Sequence, residues 1–350
     1  MLPLYLPYFE QPSWPIPFPV LGEVTIHGFG VLVALALIVG TWVSRWHGTS
    51  RGLDPTHVVD GATWTCIAGF VTAHIVSVVF YFPDRLREDP LQILYIWNGL
   101  SSFGGFLGAA VGSYLYFKHR GLSPRAYIDA LAVGLGPGWV LGRLGCTIAH
   151  DHPGVHTDFA LGFGLPPTEG TLRDVLLWIG FDEPRREMLA RLREGPIHDL
   201  GLYECAFAVC VTLVVLFIRR LRWPPGVIPA VMCLMYAPVR FSLDYLRIAD
   251  ATYDGLTPGQ WMAIGMAVGG YLLIRDSFGT LRWQELAVPG VLSVVYGAFR
   301  LIRGFSTPDG EVGAIGLSDG QWLALIICAI GLWLARAAWK WRKSHGPQPA

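Results

Sequence analysis

The stretch LGRLGCTIAHDHPG, residues 141–154, decides how the chain is read. It closes a glycine-rich apolar run that begins near residue 126, so it reads as the end of a membrane helix. Yet that end carries Arg143, and His150, Asp151 and His152 follow at once. A guanidinium among apolar side chains is costly unless an anion meets it. No acidic residue lies close to Arg143 in its own helix. The phosphate of an anionic lipid is a natural partner, because guanidinium holds phosphate through two parallel hydrogen bonds.

The rest of the composition agrees with a membrane protein. Of 350 residues 53% are hydrophobic and 15% charged, where a soluble domain carries about a quarter charged. The formal net charge is zero, which removes a basic surface for nucleic acid. Six cysteines lie scattered in apolar segments without a CxxC pair. The N-terminus lacks the basic start of a signal peptide, so the first apolar run is expected to be retained as a helix.

Runs long enough to cross about 30 Å of hydrocarbon lie near 26–44, 59–81, 94–117, 126–146, 203–219, 225–246, 259–274, 286–303 and 321–338. The expected fold is therefore an all-α polytopic membrane protein of about nine transmembrane helices. Basic clusters follow the first, third, fifth, seventh and ninth runs, including Arg45, Lys118, Arg219, Arg275 and Lys340. By the positive-inside rule the N-terminus is outside and the C-terminus cytoplasmic.

The implied organisation starts with an N-terminal outer segment (1–25) and helices one to four (26–146). A small extracytoplasmic head (147–202) separates these from helices five to seven (203–275). An additional hairpin (286–340) and a cytoplasmic tail (341–350) complete the chain. Within the head, RREMLARLRE (185–194) is amphipathic and expected at the membrane surface. The stretches 236–266 and 296–326 share Tyr, Arg, Gly-Leu and Gly-Gln-Trp in order, an internal helix–loop–helix repeat that matches Arg240 with Arg300.

On this topology the polar membrane residues gather at the outer leaflet: His27, Arg143, Glu204, Arg240 and Asp244. Such residues are functional candidates. Asp244 is spaced to pair with Arg240 or Arg247 on one helical face, which also suits a purely structural ion pair. Gly104, Gly108 and Gly112, and Gly134, Gly138 and Gly142, form small-residue stripes that let helices three and four approach closely. His74, in the second run, suits a satisfied buried histidine or a catalytic one. The histidines around Asp151 suit a surface loop, a proton-accepting pair or, lacking a visible fourth ligand, a metal site.

These residues resemble the prolipoprotein diacylglyceryl transferase family over roughly residues 20–275. IHGFGVLVALALIVG (26–40) looks like its first span, and LQILYIWNGLSSFGGFLGA (91–109) like its Trp…Gly-Gly-x-Ser-x-His-Gly-Gly stretch. GRLGCTIAHDHPG (142–154) resembles its signature, IHDLGLYE (197–204) its His-Pro-(Ser/Thr)-Gln-Leu-Tyr-Glu, and VRFSLDYLR (239–247) its Arg-Phe-x-x-Glu-x-x-Arg. The resemblance implies a seven-helix core, with the last two helices as an addition. It also implies transfer of a diacylglyceryl group from phosphatidylglycerol to the lipobox cysteine of a preprolipoprotein signal peptide, releasing glycerol 1-phosphate.

The expected site is at the outer leaflet of the bacterial inner membrane. The enzyme is expected as a monomer that needs no cofactor and no metal. The resemblance places the essential arginine on Arg143 and the phosphate-facing arginine on Arg240. It sets the acids on Asp151, Glu204 and Asp244, and closes the signature with Gly154. The expected lipid-binding set is Arg143, Arg240, Glu204, Asp244, Gly154, Cys146, Phe103 and Gly104.

The chain departs from that pattern in several places. Phe103 stands where the family has its histidine, Phe29 replaces a tyrosine, and Cys146 and Ala149 replace asparagines. The expected catalytic set is therefore Arg143, Arg240, His150, Asp151 and His152, one histidine replacing the base lost at Phe103. The departures leave two further readings: a lipid-binding relative without transfer activity, and a transferase with another acceptor. A transporter fits less well, because the polar residues gather at one leaflet.

Overall fold

In the computed structural model, which describes residues 5–18, 22–81, 86, 88–95, 99–164, 195–248, 255–306 and 319–345, each expected span contains a helix. In chain order the elements are β1 (Ser13–Phe18), β2 (Gly22–His27), α1 (Gly28–Ser50), α2 (Pro55–Val76), α3 (Ser102–His119), α4 (Pro124–Ala149), β3 (Pro153–His156), β4 (Ile197–Asp199), α5 (Leu200–Ile218), α6 (Val227–Leu243), α7 (Pro258–Ser277), α8 (Trp283–Ser306) and α9 (Asp319–His345). Among the described residues five helical stretches are long and apolar enough to cross a membrane, those containing α1, α2, α4, α5 and α6. The expected head falls mostly on residues 165–194, the amphipathic stretch included, and these lie outside the described residues.

The all-α expectation needs one correction. β1 and β2 form an antiparallel hairpin that pairs Ser13 with His27 and Phe18 with Gly22. The prolines at 15 and 17 hide this strand from a sequence reading. Proline is nonetheless tolerated on an edge strand, where its missing N–H faces no partner. β3 and β4 form a second two-stranded sheet, pairing Pro153 with Asp199.

Contacts divide the chain into two units. One comprises Met1–Ala62, Ser123–Trp223 and Pro238–Ala251, the other Thr63–Leu122, Pro224–Ala237 and Thr252–Ala350. In the first unit α4 packs against α1 and α5. Its contact with α1 depends on glycine: a Cβ at Gly134 would collide with Gly40 O and Ser44 Oγ, and one at Gly138 would stand 3.0 Å from Ala36 O. On the other side Gly136 faces Thr212 of α5, again at 3.0 Å. α5 begins at Asp199, whose side chain caps the helix by accepting a hydrogen bond from Leu202 N at 3.0 Å.

In the second unit the other stripe seats α3 on α2. Cβ atoms at Gly104 and Gly108 would fall 2.6 Å from Thr72 O and 2.5 Å from Ala68 O. Each stripe thus serves a contact with the helix before it in the pair, α2 with α3 and α1 with α4. His74 is buried and its ring nitrogens lie 3.1 Å from Gln92 O and 3.4 Å from Gly99 O, so it ties α2 to the segment before α3. α8 lies along α9, where a Cβ at Gly290 would stand 3.0 Å from Gly331 O and one at Gly297 would stand 2.6 Å from Cys328 Sγ.

The two ends of one stripe predict opposite outcomes. Gly134 has no room for a methyl group, whereas nothing lies within 4 Å of a Cβ at Gly142. Gly134→Ala should force α1 and α4 apart, destabilise the protein by about 1–3 kcal/mol as overpacking does, and lower its thermal midpoint in detergent. Gly142→Ala should leave it unchanged. Equal midpoints for the two variants would remove the stripe from the α1–α4 contact.

Candidate active site

The anion that Arg143 lacks in its own helix comes from α5. Glu204, fully buried in the first turns of that helix, meets Arg143 Nη2 through Oε2 at 2.6 Å. Its other oxygen, Oε1, accepts from Arg240 Nη1 at 3.1 Å. Arg240 turns its second nitrogen to Asp244 Oδ1 at 2.5 Å, one helical turn on. Asp244 therefore serves Arg240, with Arg247 farther off at 4.0 Å. Arg143, Glu204, Arg240 and Asp244 are all buried, and all lie in the first unit. Removing one member of such a network leaves an uncompensated buried charge and costs about 3–5 kcal/mol.

The other edge of Arg143 faces the turn at residues 150–152. Nη1 lies 3.2 Å from His152 Nε2 and 3.8 Å from Cys146 Sγ. His152 Nδ1 lies 2.5 Å from Asp151 Oδ1. Arginine only donates, so Nε2 presents its lone pair to Nη1, and Nδ1 carries the proton donated to Asp151. The imidazole is thus oriented by a carboxylate and covered by a guanidinium. The backbone holds it in place, because Leu200 N donates to His152 O at 3.1 Å.

The two histidines part company here. His150 caps α4 in the left-handed conformation, φ 54°, and this turns its ring outward among aromatics. Phe163, Phe9 and Tyr8 surround it at centroid distances of 4.3, 4.8 and 5.4 Å, and its Nε2 lies 2.9 Å from Phe9 O. Burial makes it a weaker base than an ordinary imidazole, against the opposing pull of the Phe9 carbonyl and Asp151.

Gly154 follows as a packing necessity: a Cβ there would lie 2.7 Å from both His198 Cβ and Leu246 O. That close approach lets Gly154 bridge to Arg247 and fastens the turn to the end of α6. Cys146 is buried, with Asp151 and His152 ligand atoms within 4.8 Å of its sulfur. Those three could suit a divalent cation by residue type, but Arg143 Nη1 contacts both the sulfur and the imidazole. A fixed positive charge there opposes a metal ion, so the set does not fit one.

Among the other expected residues, His27 is exposed at the head of α1. Phe29 packs on α4, its ring 3.1 Å from where a Cβ at Gly145 would stand. Gly104 serves packing in the second unit, and the side chain of Phe103 lies outside the described residues.

A profile of the family described as prolipoprotein diacylglyceryl transferase matches residues 15–275. The chain belongs to that family. Among its relatives, the phosphatidylglycerol–prolipoprotein diacylglyceryl transferase of Chromohalobacter salexigens is 28% identical over 263 residues, covering 72% of this chain and 88% of its own length. The enzyme of the same name from Acaryochloris marina is 28% identical over 276 residues, covering 77% and 92%. That of Nitratidesulfovibrio vulgaris is 26% identical over 264 residues, covering 73% and 91%. Every residue of the site lies inside the stretch that matches the diacylglyceryl transferase profile, whereas α8 and α9 lie beyond it.

The sequence reading missed Asp199. An aspartate directly before a long apolar run is a helix-capping signal, and Asp199 sits inside the IHDLGLYE motif where the family has proline. Its Oδ1 caps α5, and its Oδ2 is buried with no hydrogen-bond partner among the described residues. Burial, with help from Asp151, pushes its carboxyl up to about 7 against the opposing hydrogen bonds from Leu202 N and Gly201 N.

An ordinary aspartate titrates near 3.9, so between about pH 4 and about pH 7 the folded protein keeps a proton that the unfolded chain has lost. Stability from this group is therefore full below pH 4 and lost as pH rises through about 7. Asp199→Asn keeps the capping oxygen and has nothing to ionise. Relative to wild type, its thermal midpoint should rise steadily across that window and level off above it. Parallel midpoint curves would show that Asp199 has ordinary acidity.

Proposed function

We propose that the protein transfers the diacylglyceryl group of phosphatidylglycerol to the lipobox cysteine of a preprolipoprotein, at the outer leaflet of the bacterial inner membrane. In this reading the chain crosses the membrane nine times with its N-terminus outside, and residues 147–202 form a small outer head. The observation that carries it is the placement of Arg143 between a buried carboxylate and an oriented imidazole. Family membership supports the reaction class.

The chemistry balances on these residues. The acceptor thiolate attacks the lipid's glyceryl carbon, and an S–C bond forms as the C–O bond to phosphate breaks. Glycerol 1-phosphate leaves with one further negative charge, which Arg143 and Arg240 meet. That charge grows during the step, so these contacts strengthen towards the transition state and lower its barrier. The thiol proton passes to His152 Nε2, and Asp151 stabilises the resulting imidazolium. An unperturbed thiol, near 8.5, is mostly protonated at neutral pH, so a base at this point raises the rate.

Cys146 does not fit a covalent relay. A diacylglyceryl group on its sulfur would be held by a thioether, the same bond as in the product, with no activated leaving group. Cys146 instead lines the Nη1 edge of Arg143.

Purified protein with phosphatidylglycerol and a lipobox peptide should yield the thioether-linked peptide, detected by mass. The gene should also restore lipoprotein lipidation in a cell depleted of its own transferase. General-base contributions are about 100- to 10,000-fold, so His152→Gln should lose at least 100-fold in turnover. His150→Gln should keep activity, and Cys146→Ser should too. A lipid-binding protein without transfer would give no thioether in either assay. Full turnover by His152→Gln would mean that Asp151, Glu204 or solvent accepts the thiol proton instead.

A further inference from the structure

The arginines that this reading assigns to phosphate are already engaged. Arg240 spends its two terminal nitrogens on Glu204 and Asp244. Arg143 spends Nη2 on Glu204, and Nη1 on the His152 lone pair and the Cys146 sulfur. A phosphate that takes the edge of Arg143 facing His152 must therefore displace the contacts there. The Arg143–Glu204 contact joins two opposite charges at 2.6 Å, with Glu204 fully buried and shared with Arg240. The Nη1 contacts are longer, 3.2 and 3.8 Å, and their acceptors are a neutral imidazole and a thiol. A charged acceptor outcompetes neutral ones for the same donor. The Nη1 edge yields first.

We propose that Arg143 latches the base: its Nη1 covers the His152 lone pair in the lipid-free protein and releases it when a phosphodiester takes its place. The proposal rests on the phosphate-and-base reading above and adds an order to it. Without lipid, the one ring nitrogen that can accept the thiol proton is occupied. With phosphatidylglycerol bound, Nη1 turns to the phosphate, and Nε2 opens towards the acceptor. The thiol is then deprotonated only when the carbon it will attack is in place. This protects the buried site from futile thiolate chemistry and makes lipid the first substrate.

The rest of the pocket is arranged to let one contact move alone. Asp151 keeps Nδ1, and Leu200 N keeps the His152 carbonyl. The imidazole therefore stays put when Arg143 leaves. Thr147 Oγ1 donates to Arg143 O at 3.0 Å and Glu204 holds Nη2, so the guanidinium tilts about that fixed contact and only its Nη1 edge changes partner.

The test uses full-length protein labelled with ¹⁵N-histidine in nanodiscs of phosphatidylcholine, with or without dioleoyl phosphatidylglycerol and with no acceptor peptide. His152→Gln identifies the His152 signals. The ³¹P line of the phosphatidylglycerol reports binding independently. The latch predicts that phosphatidylglycerol broadens its own ³¹P line and moves His152 Nε2 towards the position of a bare unprotonated ring nitrogen. Nδ1 should stay bonded to Asp151. A perturbed ³¹P line with an unmoved Nε2 would overturn the latch and leave the lipid reading standing. An unperturbed ³¹P line would sink the phosphate reading, and the latch with it.

Discussion

One buried carboxylate organises the site. Glu204 is enclosed in protein and divides its two oxygens between arginines from different helices. Two guanidinium groups share a low-dielectric pocket only if an anion lies between them, since their mutual repulsion is otherwise unscreened. Glu204 supplies that anion from within the chain. The arginines are thus held beside one another before any lipid arrives, and α4, α5 and the end of α6 meet around them. Asp244 balances Arg240, and the Nη1 edge of Arg143 faces His152 and Cys146. Structure and proposed chemistry meet at that edge.

Much of the helical framework could be read from the sequence, because long apolar runs and small-residue stripes are local signals. The stripes correctly announced tight packing, but their partners depend on tertiary pairing: Gly134 and Gly138 face α1, and Gly104 and Gly108 face α2. The strands near the N-terminus were hidden by Pro15 and Pro17, whose fit on an edge strand becomes visible only once the pairing is known. Gly154 could be matched to a motif, while its physical reason, the approach of His198 and Leu246, needed coordinates.

The site was legible as a set of residues and illegible as an arrangement. Arg143 demanded an anion, and an external phosphate was the natural inference from its own helix. Glu204 supplied it from a different helix. The two histidines looked equivalent along the chain. The left-handed cap at His150 separates them, sending that ring to Phe9 and Phe163 while His152 turns in to Arg143. A single backbone torsion decides which of them does chemistry in the proposed mechanism, and sequence spacing carries no trace of it.

The account stands on a lipid phosphate joining Arg143 while Glu204 keeps both arginines. An experimental structure of the protein with bound phosphatidylglycerol tests this most directly. The account predicts a phosphate oxygen about 3 Å from Arg143 Nη1, ordinary hydrogen-bond distance. Glu204 should still bridge Arg143 and Arg240, and His152 Nε2 should be free of the guanidinium. A headgroup bound away from both arginines would contradict it, as would a phosphate that had displaced Glu204 from between them.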